Sequence, residues 1–170
     1  MTLRRFEALD APSVVGWIES VAEAARWASI DALPTNRLLA RWHAADDVVP
    51  FVWLEHELAD PVAYGEIWED RDEDEAELAR IVVAPAMRGQ GIGRRFVRAL
   101  ASEARSRGFA DVWLRVVPEN APAIAAYEAA GFRRATAAEE TAFNAGQPAE
   151  YRWFRDATAD RSEGVGGPGG

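Results

Sequence analysis

Residues Arg88, Gly89, Gln90, Gly91, Ile92 and Gly93 form the stretch of this chain best suited to hold an anion. A β-prone run over 78–83 precedes them, and helical periodicity over 94–107 follows. A glycine-rich turn between a strand and a helix N-terminus leaves several backbone N–H groups unpaired and pointing one way. The helix dipole adds partial positive charge there, and glycine lets the backbone approach a phosphate with no Cβ in between. Arg88 and Arg94 supply full charges at the two ends of the turn.

Composition and spacing narrow the chemistry. The dinucleotide fingerprint requires G-x-G-x-x-G, whereas Gly89, Gly91 and Gly93 are spaced G-x-G-x-G. Asp111 stands at the start of the next strand, while a ribose-binding acid belongs at the far end. The Walker loop requires G-K-[ST]; all 19 bases here are arginine, which also excludes a catalytic lysine. The absence of cysteine excludes disulfides, thiolate metal sites and a cysteine acyl-enzyme. With His43 and His56 as the only histidines, both far from the turn, no metal site is expected.

A second constellation follows a β-prone run over 112–117: Asn120, Ile124, Tyr127, Gly131 and Phe132. Asn120 is placed as a helix N-cap. At helical spacing Asn120, Ile124 and Tyr127 share one face, so the phenol is aimed where the cap side chain points. Taken together, R-x-x-G-x-G after one strand and N-x-x-A-I-x-x-Y-E-x-x-G-F after the next resemble the GNAT family of acyl-CoA N-acetyltransferases. Residues 77–132 carry the resemblance; elsewhere it is one of layout.

The resemblance implies an α/β fold with a mixed central sheet, ordered β-α-α-β-β-β-α-β-α-β-β, with helices on both faces. The sheet would splay between its fourth and fifth strands, here 77–84 and 111–117, to admit the pantetheine arm of acetyl-CoA. Backbone amides of 89–94 would take the pyrophosphate. Main-chain groups of Ile81, Val82 and Val83 would meet the pantetheine amides as an added strand does. Asn120 would hydrogen-bond the same arm, and Tyr127 would protonate the departing sulfur.

A proton acceptor is also needed. Glu77 stands where some family members, the histone acetyltransferase type among them, carry a glutamate base. Strict alternation puts it on one face with Ala79, Ile81 and Val83, an apolar setting that would raise its pKa. Glu66 is a second candidate, and water a third. The fifth strand reads Leu114, Arg115, Val116, with no acid, a departure that weighs against a peptide N-terminus as acceptor. Relatives build the acceptor pocket from the first two helices and the last strands, which here hold Trp17, Trp27, Trp42 and Trp153. The implied activity is direct transfer of acetyl from acetyl-CoA to a primary amine. Two rivals keep the same fold: a non-catalytic acyl-CoA-binding or regulatory module, and acyl transfer to a hydroxyl.

Net charge supports the amine reading. With 28 acids against 19 bases the chain carries −9, which opposes a nucleic-acid partner and suits a cationic acceptor. The N-terminal residues lack the apolar core of a signal peptide, and no run of about 18 apolar residues could span a membrane, so a cytoplasmic protein is expected. Homodimerisation through edge strands is common among relatives.

The elements that must position these groups can be read from periodicity and turn signals. Strands are expected over 2–8, 49–55, 62–68, 77–84, 111–117, 132–136 and 149–156, with 69–75 as an acidic hairpin connection. Helices are expected over 10–20, 22–28, from 35 onward, over 94–107 ended by Gly108, and over 120–130 closed by Gly131. Residues 137–148 read as a polar connection bordering the acceptor site. One domain is expected over 1–157, followed by a disordered glycine-rich tail over 158–170.

Overall fold

The computed structural model describes residues 1–57 and 59–157, so the expected tail lies outside the described residues. Among the described residues seven strands form one sheet: β1 (Thr2–Arg5), β2 (Val48–Leu54), β3 (Pro61–Asp70), β4 (Glu75–Val83), β5 (Asp111–Val116), β6 (Phe132–Arg134) and β7 (Arg152–Asp156). Their order across the sheet is β1-β2-β3-β4-β5-β7-β6. Every neighbouring pair is antiparallel except β4 and β5, which run parallel. The expected mixed sheet is therefore present.

Helices cover both faces. On one side α4 (Ile92–Ser106) and α5 (Ala121–Ala130) close a core that includes Phe51, Ile67, Leu78, Leu114, Tyr127 and Phe154. The buried residues of α4, among them Phe96, Val97, Leu100 and Ala104, fall at helical spacing; Arg94, Arg95 and Arg98 face solvent, while Arg105 is half-buried on Asp156. On the other side α1 (Ala11–Gly16), α2 (Val21–Ala28) and α3 (Asn36–Trp42) cover a smaller core around Val14, Leu39, Val52, Tyr64 and Val82.

Local chemistry moved several boundaries. The helix expected over 10–20 stops at Gly16, and Ser20 caps a separate α2; at the other end the Asp10 carboxylate accepts the backbone N–H of Glu7 at 2.7 Å and pairs with Arg4, so its side chain does not cap α1. Extension of β3 to Asp70 and of β4 back to Glu75 leaves only Arg71 to Asp74 as the turn. Glu77 thus lies inside a strand, not at its start. The polar connection contains a helix, α6 (Ala137–Asn144), started by a capping box in which Thr136 and Glu139 each hold the other's backbone N–H.

One irregularity shapes the sheet's centre. β4 pairs with β5 only from Glu75–Asp111 to Leu78–Leu114; β4 runs on to Val83 with no strand partner on that side among the described residues. This is the expected splay. At the same place the β3–β4 register slips: Glu66 faces Ala79 and Tyr64 faces Val82, so Arg80 and Ile81 together oppose Gly65. Arg80 takes the left-handed conformation, φ +47°. Gly65 sits in a tight space: a Cβ there would lie 3.0 Å from Leu100 and 3.1 Å from Phe96, so those side chains would have to give way.

Candidate active site

The glycine turn lies where β4 hands over to α4. Gly91, the N-cap of α4, sits at φ +73° and Gly89 at φ +75°, so both use backbone conformations that side chains disfavour. A Cβ at either would meet nothing within 4 Å. The constraint there is conformational, and the turn is open on its outer side. No side chain caps α4, which leaves its first-turn N–H groups to an external acceptor. The Gln90 amide pins the turn by donating to the Ala86 carbonyl at 3.1 Å. Arg94 is exposed beside the helix start. The Arg88 guanidinium turns the other way, donating to the Val83 carbonyl at 3.0 Å and to Glu23 at 2.7 Å. It therefore ties the turn to α2 and leaves the anion to the backbone.

α5 packs closely against that turn: a Cβ on Gly93 would lie 3.9 Å from that of Ala126. Asn120 caps α5 as expected, its carbonyl accepting the Ala123 N–H at 3.4 Å. Tyr127 is buried in the same cluster that Ile81, Val83 and Ile124 pack against, edge-on to Phe154 with ring centroids 6.3 Å apart. Burial pushes its phenol up to about 12, and none of the hydrogen bonds among the described residues uses its hydroxyl. It stays protonated at any physiological pH and is free to donate.

The bulge corrects the placement of Glu77. Strict alternation would set Glu77 beside Ile81 and Val83, but the extra residue at Arg80 inverts the pattern beyond it. Leu78, Ile81 and Val83 share the α4 face, while Val82 packs in the opposite core. Glu77 consequently faces the α1–α3 side, one rung before the sheet opens. There Arg115 of β5 donates from Nε to its carboxylate at 3.1 Å, and the pair is about one-fifth exposed on each side. Burial raises the Glu77 pKa; Arg115 and then Arg80 draw it back, and the net direction is upward.

Glu66, the second base candidate, is fully buried and fully engaged. It accepts from the Tyr64 hydroxyl, from Trp68 Nε1 at 2.6 Å and from Arg80 at 2.8 Å, with His43 3.7 Å away. Burial pushes its carboxyl up, but His43, Arg80, Tyr64 and Trp68 together pull it below the usual carboxylate range. A carboxylate so well satisfied is a poor proton acceptor. Its work is to hold Arg80, whose guanidinium lies 3.6 Å over the Trp42 ring. Trp27 completes the arrangement by donating to the Arg80 carbonyl at 2.7 Å. Trp27 and Trp42 thus brace the bulge, and Trp17 accepts from Arg88 through its carbonyl. Of the four tryptophans in the elements from which relatives build the acceptor pocket, Trp153 borders the cavity beside Glu77, while Trp17, Trp27 and Trp42 pack against the smaller core.

Residues 13–132 match the acetyltransferase (GNAT) family. The chain belongs to that family. Among individual proteins it is 48% identical over 63 residues to the [ribosomal protein bS18]-alanine N-acetyltransferase of Escherichia coli K12, a match covering 37% of this chain and 43% of that one. It is also 54% identical over 52 residues to the streptothricin acetyltransferase of Streptomyces lavendulae, covering 31% of this chain and 28% of that one. The chain spans less than half the length of these curated relatives. The same fold is seen in AAC(6')-Ib in complex with ribostamycin and coenzyme A, with TM-score 0.74 and 19% identity over 98% of both chains.

Beside the GNAT gap lies a cavity of about 750 Å³. Trp68, Trp113, Phe143 and Trp153 wall it, and Glu77 and Glu75 open into it. The Phe143 wall comes from α6, edge-on to Trp113 at 5.0 Å and tilted against Trp153 at 5.1 Å. Arg115 lies at the junction, stacked over Tyr151 and Trp153 and donating to Gln147 at 2.9 Å. Residues 137–148 were read as a polar connection bordering the acceptor site, and the helix within them was missed although the Thr136-to-Glu139 capping box is a readable signal for it; Arg115 was given no role from sequence. Among the described residues no helix is long and apolar enough to cross a membrane.

Proposed function

We propose that this protein transfers the acetyl group of acetyl-CoA to a primary amine by direct attack in a ternary complex. One observation carries the reading: Glu77 and Tyr127 approach the only opening between paired strands of the described sheet from its two opposite faces. The thioester, lying in the gap along Ile81, Val82 and Val83, would have a base on one side and an acid on the other. Glu77 takes a proton from the attacking amine, the C–N bond forms, and the C–S bond breaks as Tyr127 donates to the leaving sulfur. The amides of Gly89 to Arg94 hold the pyrophosphate by charge and geometry, and Asn120 assists along the arm. The −9 charge supports a cationic acceptor and opposes a nucleic-acid partner, and the reading extends to a cytoplasmic location.

Thiol release from acetyl-CoA tests this, in the parent and in Tyr127→Phe. Amine-dependent release is expected, with kcat in the variant lower by about 10²-fold, the range for losing a general acid. Because the hydroxyl has no protein partner, Tm should barely move. Tight acetyl-CoA binding with no release for any amine would favour the non-catalytic module instead.

A further inference from the structure

On the α1–α3 side, the gap between β4 and β5 is crossed by a contact that neither strand makes. Ser29 ends α2 and Tyr151 directly precedes β7; their hydroxyls lie 3.0 Å apart, and either can donate. One end of this bridge belongs to the β4 lip of the gap, since Trp27 of α2 donates to the Arg80 carbonyl at 2.7 Å. The other end belongs to the β5 lip, because Arg152 pairs with Val116, the last residue of β5. The bridge therefore spans the opening at the level where β4 and β5 no longer pair.

Both ends are built for this position. Ser29 closes α2 in the left-handed conformation, φ +53°, where glycine is the favoured residue and a side chain is strained. Glycine would close the helix with less strain but carries no hydroxyl, so what serine adds there is its hydrogen bond to Tyr151. Strain kept at such a place points to a role beyond the helix end. Tyr151 is 8% exposed and is fixed at both backbone and ring. Asn144 accepts its N–H at 3.1 Å and donates to its carbonyl at 3.0 Å, and the Arg115 guanidinium lies 5.0 Å from its ring centroid. Arg115 in turn pairs with Glu77. Glu77, Arg115, Tyr151 and Ser29 thus form one continuous rim along this side of the gap.

We propose that the Ser29–Tyr151 bridge determines which amines reach the thioester, admitting a nitrogen carried on a slim, unbranched chain and excluding amines branched beside the nitrogen. The proposal rests on the N-acetyltransferase reading above and adds to it a limit on acceptor shape. Ser29 and Tyr151 take no part in the bond changes; they act by fixing the width of the opening.

The test compares n-butylamine and cyclohexylamine as acceptors with acetyl-CoA, in the parent, Ser29→Gly, Tyr151→Phe and the double variant. Each single change removes one hydroxyl, and Tyr151→Phe keeps the ring beneath Arg115. In both, the kcat/KM ratio of cyclohexylamine to n-butylamine is expected to rise by about tenfold, the scale on which one group more or less is discriminated in a pocket. The change should lie in the KM for cyclohexylamine, with kcat for n-butylamine and the KM for acetyl-CoA nearly constant. The double variant should go no further, since both single changes break the same contact. A ratio unchanged in the single variants, a further rise in the double variant, or an equal loss for both amines overturns the proposal while leaving the transferase intact. If neither amine is acetylated by the parent, the transferase reading fails, and calorimetric titration of the two amines into the coenzyme A complex decides the bridge separately. A binding ratio that shifts toward cyclohexylamine in the variants upholds it; an unchanged ratio or no binding overturns it.

Discussion

At the Glu77 carboxylate two influences oppose each other: burial, which raises its pKa, and the neighbouring guanidinium groups, which lower it. Arg115 reaches it from β5 and Arg80 from its own strand; β3 carries Glu66, already paired with Arg80, and Glu69, paired with Arg71 and Arg107. Glu75 shares the cavity two residues away. A base must be ionised to act, so the acid limb of kcat/KM follows the Glu77 pKa. Arg115→Met removes the stronger downward influence, and the acid limb should move to higher pH. Arg115→Lys, which keeps a charge, should move it less. A limb that stays put in Arg115→Met would mean that Glu77 does not set it. At this scale the site was half legible from sequence. The placement of Asn120 as the cap of α5 and of Tyr127 on its buried face was readable because helical spacing is regular. Arg115 was missed as a partner because it meets Glu77 through parallel strand register, which no local pattern in either strand reveals.

Regular elements were readable wherever periodicity ran unbroken, and failures came where one residue broke it. The seven strands, the long α4 and the capped α5 were all anticipated. The Arg80 bulge was not, and it reversed which face Ile81 and Val83 share; nothing in Leu78 to Val83 marks an extra residue, since the slip is set against Gly65 on the neighbouring strand. The glycine turn offers a cleaner element-scale prediction. Gly91→Asp places a β-carbon in open space but at φ +73°, a cost of roughly 1–2 kcal/mol. Aspartate at an N-cap contributes about 1 kcal/mol by accepting first-turn N–H groups, and so offsets much of that cost. Those are the N–H groups assigned to the pyrophosphate. Tm should therefore change little while acetyl-CoA affinity falls by at least about tenfold, from occupied donors and like-charge repulsion. Undiminished affinity by calorimetry would remove the anion-binding role from the turn.

For the whole molecule, the two cores on opposite faces of the sheet are unequal, and the smaller one borders the buried carboxylate of Glu66. Glu66, with Tyr64, Trp68 and Arg80, joins β3 to the β4 bulge beneath α2 and α3. Its folded pKa lies below the ordinary carboxyl value, so its ionised form contributes stability above the usual carboxylate range. That contribution is lost as pH falls through the folded-state pKa. Glu66→Gln keeps the shape but leaves the Arg80 charge, 16% exposed, without its counter-ion. Removing one partner of a buried pair costs about 3–5 kcal/mol. Denaturant unfolding at several pH values should show the variant less stable by about that much near neutrality. The gap should narrow in acid, where the parent's own carboxyl becomes protonated. A deficit constant across pH would mean that packing, not charge, links Glu66 to the fold. A normally stable variant with reduced kcat would place the Glu66–Arg80 pair in the geometry of the gap alone.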